Sequence, residues 1–310
     1  MRNRSNSRLA HVLVPLVAVV TLLAAAPSSL TVMTFNIRYG TAEDGDNHWD
    51  RRRDLLFQVI RDEEADIVGL QEALRFQIDQ IVAAAPAYAF VGVGRDDGRE
   101  AGEHTAILYR RERLSVLESG TFWFSDTPDQ PGSTGWGNRI TRICTWARFS
   151  DGSGGSFYVF NVHLDHESQP SRERSVQLLA ARIRERAVPD APVIVTGDFN
   201  IDEQNPATRW LLGEEDALPG AGKSGIDLAD TFRALHPEAR GVGTFSGFTF
   251  GNIDERKIDY VLVATGFVAR DARIVHTSRA GRYPSDHFPV VATIERQPQV
   301  RRVLGSRAKD

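Results

Sequence analysis

Two β-sheets packed face to face, with helices on their outer sides, form the α/β architecture that this 310-residue sequence predicts. Nine short runs rich in Val, Ile, Phe and Tyr recur along the chain, bounded by Gly, Asp and Pro. Stretches with helical periodicity lie between some of them. No repeat of fixed period and no low-complexity linker divides the chain, so one domain is expected.

The strand-like runs are 30–37, 66–71, 88–93, 105–109, 143–149, 157–162, 193–196, 258–263 and 288–294. A first helix is expected after Trp49, where Leu55, Leu56, Val59 and Ile60 share one face. Leu74, Ile78, Ile81 and Val82 mark a second. The third covers 171–187, where Val176, Leu179, Ala180 and Ile183 form an apolar stripe against Arg172, Glu173, Arg182 and Glu185. The run Phe122, Trp123, Phe124 is expected to be a strand filling the core rather than a membrane-dipping patch. Residues 151–156, with three glycines, read as the loop of an extended hairpin. Residues 297–310 are polar and basic and read as a flexible tail.

An apolar content of 41% and a net charge of −4 exclude disorder as the dominant state. A multi-span membrane protein is excluded too, because only one apolar stretch exceeds a dozen residues. The single Cys144 leaves no intrachain disulfide and no Cys-rich metal site. Arg2, Arg4 and Arg8 precede the long apolar stretch, 12–26, which ends in three alanines. That is the form of a secretory signal peptide, residues 1–26, cleaved near Ala26. A secreted or extracytoplasmic domain of residues 27–296 is therefore expected, with anchoring by an uncleaved leader as the only membrane contact. Removing the leader takes away three arginines and no acid, so the charge moves from −4 to −7. Such a balance disfavours nucleic acid as a partner, although a local basic groove could override it.

Polar residues cluster where the apolar runs stop or start. Asn36, Glu72, Asn161, His163, Asp198 and Asn200 follow the ends of such runs, and Asp259 and Asp286-His287 precede others. In an antiparallel sheet the end of one strand and the start of its neighbour share an edge, so these groups can gather on one rim. Crowding that many carboxylates is unfavourable without a cation. Carboxylate oxygens without thiolates suit a hard ion such as Mg²⁺, with Mn²⁺ as a substitute. Histidine can donate to a phosphoryl oxygen or move a proton near neutral pH.

In order along the chain, Asn36, Gln71-Glu72, Asn161-Val-His163, Gly197-Asp198-Phe-Asn200, Ile258-Asp259-Tyr260 and Ser285-Asp286-His287-Phe288-Pro289 resemble the motifs of the endonuclease/exonuclease/phosphatase superfamily. Further stretches, among them Trp49-Asp-Arg-Arg, Gly102-Glu-His-Thr and Gly281-Arg-Tyr-Pro, resemble a bacterial branch that includes secreted members. The resemblance covers roughly 30–296 and implies a four-layer α/β/β/α sandwich that cleaves phosphate esters with a divalent metal. Carried over residue by residue, it implies Glu72 as the principal Mg²⁺ ligand, with Asn36 and Asp286 beside it. It implies Asp198 as base or water-orienting acid, with Asn200 positioning the phosphate. It implies His287 and His163 at the scissile phosphate, Asp259 orienting the ring of His287, and Asn161 contacting substrate. Arg38 stands where DNA-repair members carry an aspartate, which argues against a second acidic metal site and against DNA repair.

Arg139 and Arg142 lie near Trp136 and Trp146 and are candidates for clamping an anionic substrate; Arg142 could equally pair with a neighbouring acid. Glu103 and His104, just before the run 105–109, are expected to line the cleft. The expected activity is phosphodiester hydrolysis by a monomer, through Mg²⁺-assisted in-line attack of water. Extracellular nuclease, sphingomyelinase-like lipid phosphodiesterase and a catalytically silent binding protein of the same fold are the alternatives.

Overall fold

The computed structural model describes residues 29–152 and 155–297. The expected leader, 1–26, and the tail beyond residue 297 lie outside the described residues, as do two residues of the hairpin loop at 151–156. In chain order the elements are β1 (Ser29–Asn36), α1 (Trp49–Glu63), β2 (Ile67–Gln71), α2 (Arg75–Ala84), β3 (Tyr88–Val91), β4 (Ile107–Arg110), β5 (Ser115–Trp123), β6 (Ile143–Ser150), β7 (Ser156–His163), α3 (Gln169–Arg184), β8 (Val193–Asp198), α4 (Pro206–Leu211), β9 (Leu228–Asp230), α5 (Thr231–Leu235), β10 (Asp259–Ala264), β11 (Phe267–Ile274) and β12 (Val290–Arg296).

The strands form two six-stranded sheets, ordered β11-β12-β1-β2-β4-β3 and β5-β6-β7-β8-β10-β9. Each sheet is antiparallel except for its central pair: β1 runs parallel to β2, and β7 runs parallel to β8. Outside the first sheet, Leu56, Val59 and Ile60 of α1 and Ile78 and Ile81 of α2 pack on Met33, Phe35, Val68 and Leu70. Outside the second, Val176, Leu179 and Ile183 of α3 and Trp210 and Leu211 of α4 pack on Tyr158, Phe160, Val195 and Tyr260. Leu30, Val32, Ile67, Phe149, Val159, Ile194, Val261 and Ile294 fill the space between the sheets. This is the four-layer α/β/β/α sandwich.

The helices begin where their sequences supply caps. His48 Nδ1 accepts from the Asp50 N–H at the start of α1, and Ser168 Oγ accepts from the Ser171 N–H at the start of α3, which carries Pro170 in its first turn. Phe122, Trp123 and Phe124 are all buried, as the core reading of that run requires. Three strands fall outside the nine runs: β9, β11 and most of β5. The short helices α4 and α5 were likewise not signalled.

Side chains two apart on a strand share a face, and the face between the sheets changes character along its length. At one end it is apolar. Toward the other end it carries Thr34 and Asn36 on β1, Gln71 on β2, Thr145 on β6, Asn161 and His163 on β7, Thr196 and Asp198 on β8, and Asp259 on β10. A buried hydrogen-bonded band marks the change. Gln71 Nε2 donates to Asn161 Oδ1 (2.7 Å) and Thr34 Oγ1 (3.1 Å), and Thr196 Oγ1 donates to Asn161 Oδ1 (3.1 Å). Asn161 Nδ2 donates across to the carbonyls of Leu70 (2.8 Å) and Ala106 (3.0 Å), tying one sheet to the other. Gly69 makes this approach possible: a Cβ there would stand 2.4 Å from Thr196 Oγ1 and 2.6 Å from Asn161 Oδ1.

Candidate active site

Beyond the polar band, the C-terminal ends of both central parallel pairs open into one cleft of about 620 Å³. Strand register sets what faces it: Asn36 pairs with Gln71, His163 with Asp198, and Asp198 with Asp259. Sharp turns then redirect the chain. Arg38, Glu72 and Asn200, each one or two residues past a strand end, have φ of 57°, 58° and 55°. Positive φ is uncommon for residues with a Cβ, and these three turns border the cleft.

Asp198 is the hub. Its Oδ2 accepts from Asn36 Nδ2 (2.9 Å), and its Oδ1 accepts from the backbone N–H of Asn200 (2.8 Å). His163 Nε2 lies 3.6 Å and His287 Nε2 3.8 Å from that same Oδ2. Burial, with the nearby Asp259 carboxylate, raises Asp198 to about 7. The two histidines respond oppositely. Burial and the neighbouring Arg142 drive His163 well below the ordinary imidazole range. Burial also opposes charge on His287, but Asp259 and Asp198 outweigh it and hold the ring protonated. Asp259 Oδ2 sits 2.9 Å from His287 Nδ1, which leaves Nε2 toward Asp198 and the cleft.

The loop carrying Asp286-His287 is tied to a segment that the sequence reading did not single out. Ser246 and Gly247 N–H groups donate to the Asp286 carbonyl (2.7 and 3.2 Å), and Phe288 N–H to the Thr244 carbonyl (2.7 Å). Thr244 Oγ1 accepts from the N–H of Asp259 (3.1 Å), so one threonine aligns both members of the His287–Asp259 pair. Phe245 packs edge-on against His287 at 5.0 Å. No periodicity or charge pattern flagged this segment, because its work is done by backbone groups.

Most predicted site residues converge. Asn36, Glu72, His163, Asp198, Asn200, Asp259, Asp286 and His287 surround the cleft or touch a group that lines it. Asn36, however, faces the acids with its amide nitrogen, donating to Glu72 (3.1 Å) as well as Asp198, while its Oδ1 accepts from the Arg38 N–H (3.0 Å). It spaces two carboxylates instead of offering an oxygen to a cation. Asn200 spends its side-chain amide on the Leu164 carbonyl (3.0 Å) and steadies Asp198 through its backbone. Arg142 is buried, lies 3.4 Å from Asp165, reaches both His163 and His166, and lines the cleft. It therefore pairs with a neighbouring acid, as one reading had it, while standing at the cleft wall.

Three predicted substrate contacts lie elsewhere. Asn161 is enclosed between the sheets with its carboxamide committed to the polar band. Arg139 is 84% exposed on the surface beside Glu167. His104 is buried, and its backbone bridges to Ala73. Its neighbour Glu103 lines the cleft instead, since adjacent residues of an extended chain point opposite ways. Arg95 Nη1 holds Glu103 at 2.6 Å, and Glu103 Oε2 lies 4.0 Å from His163. Burial raises Glu103 to about 7. Arg95 and Phe245 are cleft residues that sequence reasoning missed.

The donor chemistry fits a divalent cation. Burial raises Asp286 and Asp198, and the neighbouring Glu72 and Asp259 carboxylates add to it. Asp259 Oδ1 is buried without a hydrogen-bond partner. Asp198, Asp259 and His287 bring ligand atoms within 4.8 Å of one another and could hold a metal ion. Cys144, the single thiol, is buried away from the cleft on the helix-covered face of β6, so the donors here are hard.

Fold and site together define a four-layer α/β sandwich with an acidic, histidine-bearing cleft suited to a hard cation and an anionic substrate. Residues 33–287 match the profile of the Endonuclease/Exonuclease/phosphatase family, and the chain belongs to that family. It is similar to an endonuclease/exonuclease/phosphatase family protein from Bacteroides thetaiotaomicron, with 32% identity and a TM-score of 0.78 over 88% of this chain and 100% of that one. The mannosyl-6-phosphatase of the same organism is 33% identical, with a TM-score of 0.74 over 86% of this chain and 99% of its own. Among curated proteins, uncharacterized protein L388 of Acanthamoeba polyphaga mimivirus is 33% identical over 164 residues, 50% of this chain. The match spans 60% of that viral protein's length.

Proposed function

We propose that the protein is a Mg²⁺-dependent hydrolase of small phosphate esters. The observation that carries this reading is the pair of histidines in opposite charge states on one oxygen of Asp198, beside acids that call for a cation. Glu72 and Asp286, with Asp198 adjacent, would hold a divalent ion, which would supply charge neutralisation and Lewis acidity toward a phosphoryl oxygen. Those oxygens suit a hard ion, and His287, held through Nδ1 by Asp259, keeps Nε2 for the phosphoryl group.

The chain's own groups divide the remaining work. Asp198, fixed by Asn36 and by the Asn200 N–H, orients the attacking water and accepts its proton at Oδ2. His287, locked by Asp259, presents Nε2–H to charge developing on the phosphoryl group. Arg142 and neutral His163 line the same wall and add donors for phosphoryl oxygens.

The arginines of the cleft support a small substrate over a nucleic-acid strand. Arg38 is paired with Asp44, Arg95 with Glu103 and Arg142 with Asp165. Binding a backbone of successive phosphates draws on several uncommitted basic groups, whereas each of these three arginines already shares its charge with an acid. The sequence reading favours diesters, whereas the name of the mannosyl-6-phosphatase relative supports a sugar monoester. Rates with Mg²⁺ on bis-p-nitrophenyl phosphate, p-nitrophenyl phosphate, mannose 6-phosphate, single-stranded RNA and sphingomyelin test the proposal. Turnover of the small esters with none of the RNA supports it; RNA as the best substrate, or no turnover of any, contradicts it. The leader-like segment 1–26 supports export as the setting for this activity.

A further inference from the structure

We infer that the ion pair Arg95–Glu103 is the part of the cleft that selects the substrate: it takes hydroxyl groups of the alcohol esterified to the phosphoryl group, so the preferred esters are those of a neutral, polyhydroxylated alcohol. The inference rests on the reading of the cleft as a phosphoesterase site.

The pair stands one ring beyond the chemistry. His163 Nε2 lies 3.6 Å from Asp198 Oδ2, and its Nδ1 lies 4.0 Å from Glu103 Oε2. Arg95, Glu103 and His163 all line the cleft. An alcohol that extends past His163 from a phosphoryl group at Asp198 and His287 meets Glu103.

A short loop holds the pair in place. Arg95 N–H donates to the Glu103 carbonyl (3.0 Å) and Asp96 N–H to the Ala101 carbonyl (3.1 Å), which sets the two side chains at neighbouring positions. Asp97 Oδ1 accepts from the N–H groups of Arg99 (2.7 Å) and Ala101 (3.0 Å) and closes the turn. Gly94 permits the close approach, since a Cβ there would stand 2.1 Å from the Ala101 carbonyl oxygen. Trp123 Nε1 donates to the Arg95 carbonyl (2.7 Å) and anchors the loop to β5.

The open atoms of the pair match hydroxyl groups. Arg95 Nη1 spends a bond on Glu103 Oε2 at 2.6 Å. Among the described residues, no hydrogen bond engages Glu103 Oε1 or Arg95 Nη2, although each side chain is only 14% exposed. An ion pair enclosed for stability alone normally has its remaining donors and acceptors satisfied. A carboxylate accepts and a guanidinium donates, whereas a hydroxyl does both, so adjacent hydroxyls can bridge the pair. The carboxylate of Glu103 repels a second phosphate, and an alcohol without hydroxyls leaves the open atoms unmet.

The test compares kcat/KM of the full chain, with Mg²⁺, on mannose 6-phosphate and on cyclohexylmethyl phosphate, which keeps a six-membered ring and the CH₂–O–P link without hydroxyls. The wild type should favour the sugar ester by on the order of 10²-fold. Glu103→Gln should cut that ratio by about 10-fold or more, chiefly through a raised KM for the sugar ester. Equal kcat/KM on the two esters in the wild type, or a ratio unmoved by Glu103→Gln, would overturn the inference. Should the variant not fold, the wild-type ratio still decides. If p-nitrophenyl phosphate is hydrolysed and neither ring ester is, the inference falls alone; if none of the three is hydrolysed, the phosphoesterase reading falls with it.

Discussion

His163 and His287 approach the same oxygen of Asp198, at 3.6 and 3.8 Å, in opposite charge states. Burial, with Arg142 beside it, disfavours charge on the first ring; Asp259 accepts from the second and favours charge there. Two imidazoles in one cleft are thus driven apart in charge by burial and by their different partners, as groups with different tasks would be.

Asp259→Asn removes the charge that sustains the imidazolium of His287. The ring's pKa falls, and the basic limb of the pH–rate profile, where the imidazolium is lost, moves to lower pH. At a mildly basic pH, kcat should drop on the order of 10²-fold, with a smaller deficit in mildly acidic buffer. A pH–rate profile with the same basic limb as the wild type would argue against this role.

Glu103 and Asp198 yield a stability prediction with a definite sign. Both are raised to about 7 from ordinary values of 4.5 and 3.8, chiefly by burial. Between those limits the folded chain keeps protons that the unfolded chain has released, so their contribution to stability falls as pH rises toward 7. In EDTA the melting temperature should decline across this window. Excess Mn²⁺ should raise it more at about pH 8 than at about pH 5, because protons compete for the same oxygens. Equal Mn²⁺ shifts at both pH values would contradict this.

Asn161→Ala strips the band between the sheets of its centre. Gln71 Nε2, Thr196 Oγ1 and the Leu70 and Ala106 carbonyls all lose a partner while buried. Urea unfolding should show a loss of roughly 2–4 kcal/mol. A change within a few tenths of a kcal/mol would mean that the residue is not the strap described here.

Gly69→Ala tests the closeness of the sheets directly. The added Cβ collides with Thr196 and Asn161, which are hydrogen-bonded to each other within the band. A loss of roughly 1–3 kcal/mol in the same unfolding assay is expected. Unaltered stability would show that the sheets can separate at no cost.

The acids and histidines of the cleft were legible because they stand where an apolar run stops or starts. Glu72, His163, Asp198, Asp259 and His287 all announce themselves that way. What was not legible depends on direction and on backbone. Asn161 ends an apolar run too, yet it lies one turn of the pleat deeper than His163 and is sealed between the sheets. Glu103 and His104 are adjacent, and only the bridge of His104 to Ala73 decides which faces the cleft. Edge strand β11 escaped because its exposed side carries Arg270, Asp271 and Arg273 and a bulge interrupts its register between Ala269 and Asp271. Helices α4 and α5, of six and five residues, are too short to display a period.

The central claim, that a divalent ion held beside Glu72 works with His287 to cleave a phosphate ester, is tested most directly by bis-p-nitrophenyl phosphate turnover in EDTA and after Mg²⁺ or Mn²⁺ is restored. The wild type should fall silent in EDTA and recover with metal, while Glu72→Gln and His287→Ala each stay on the order of 10²-fold or more below it in the presence of metal. Turnover that ignores EDTA, or wild-type rates in both variants, would contradict the account.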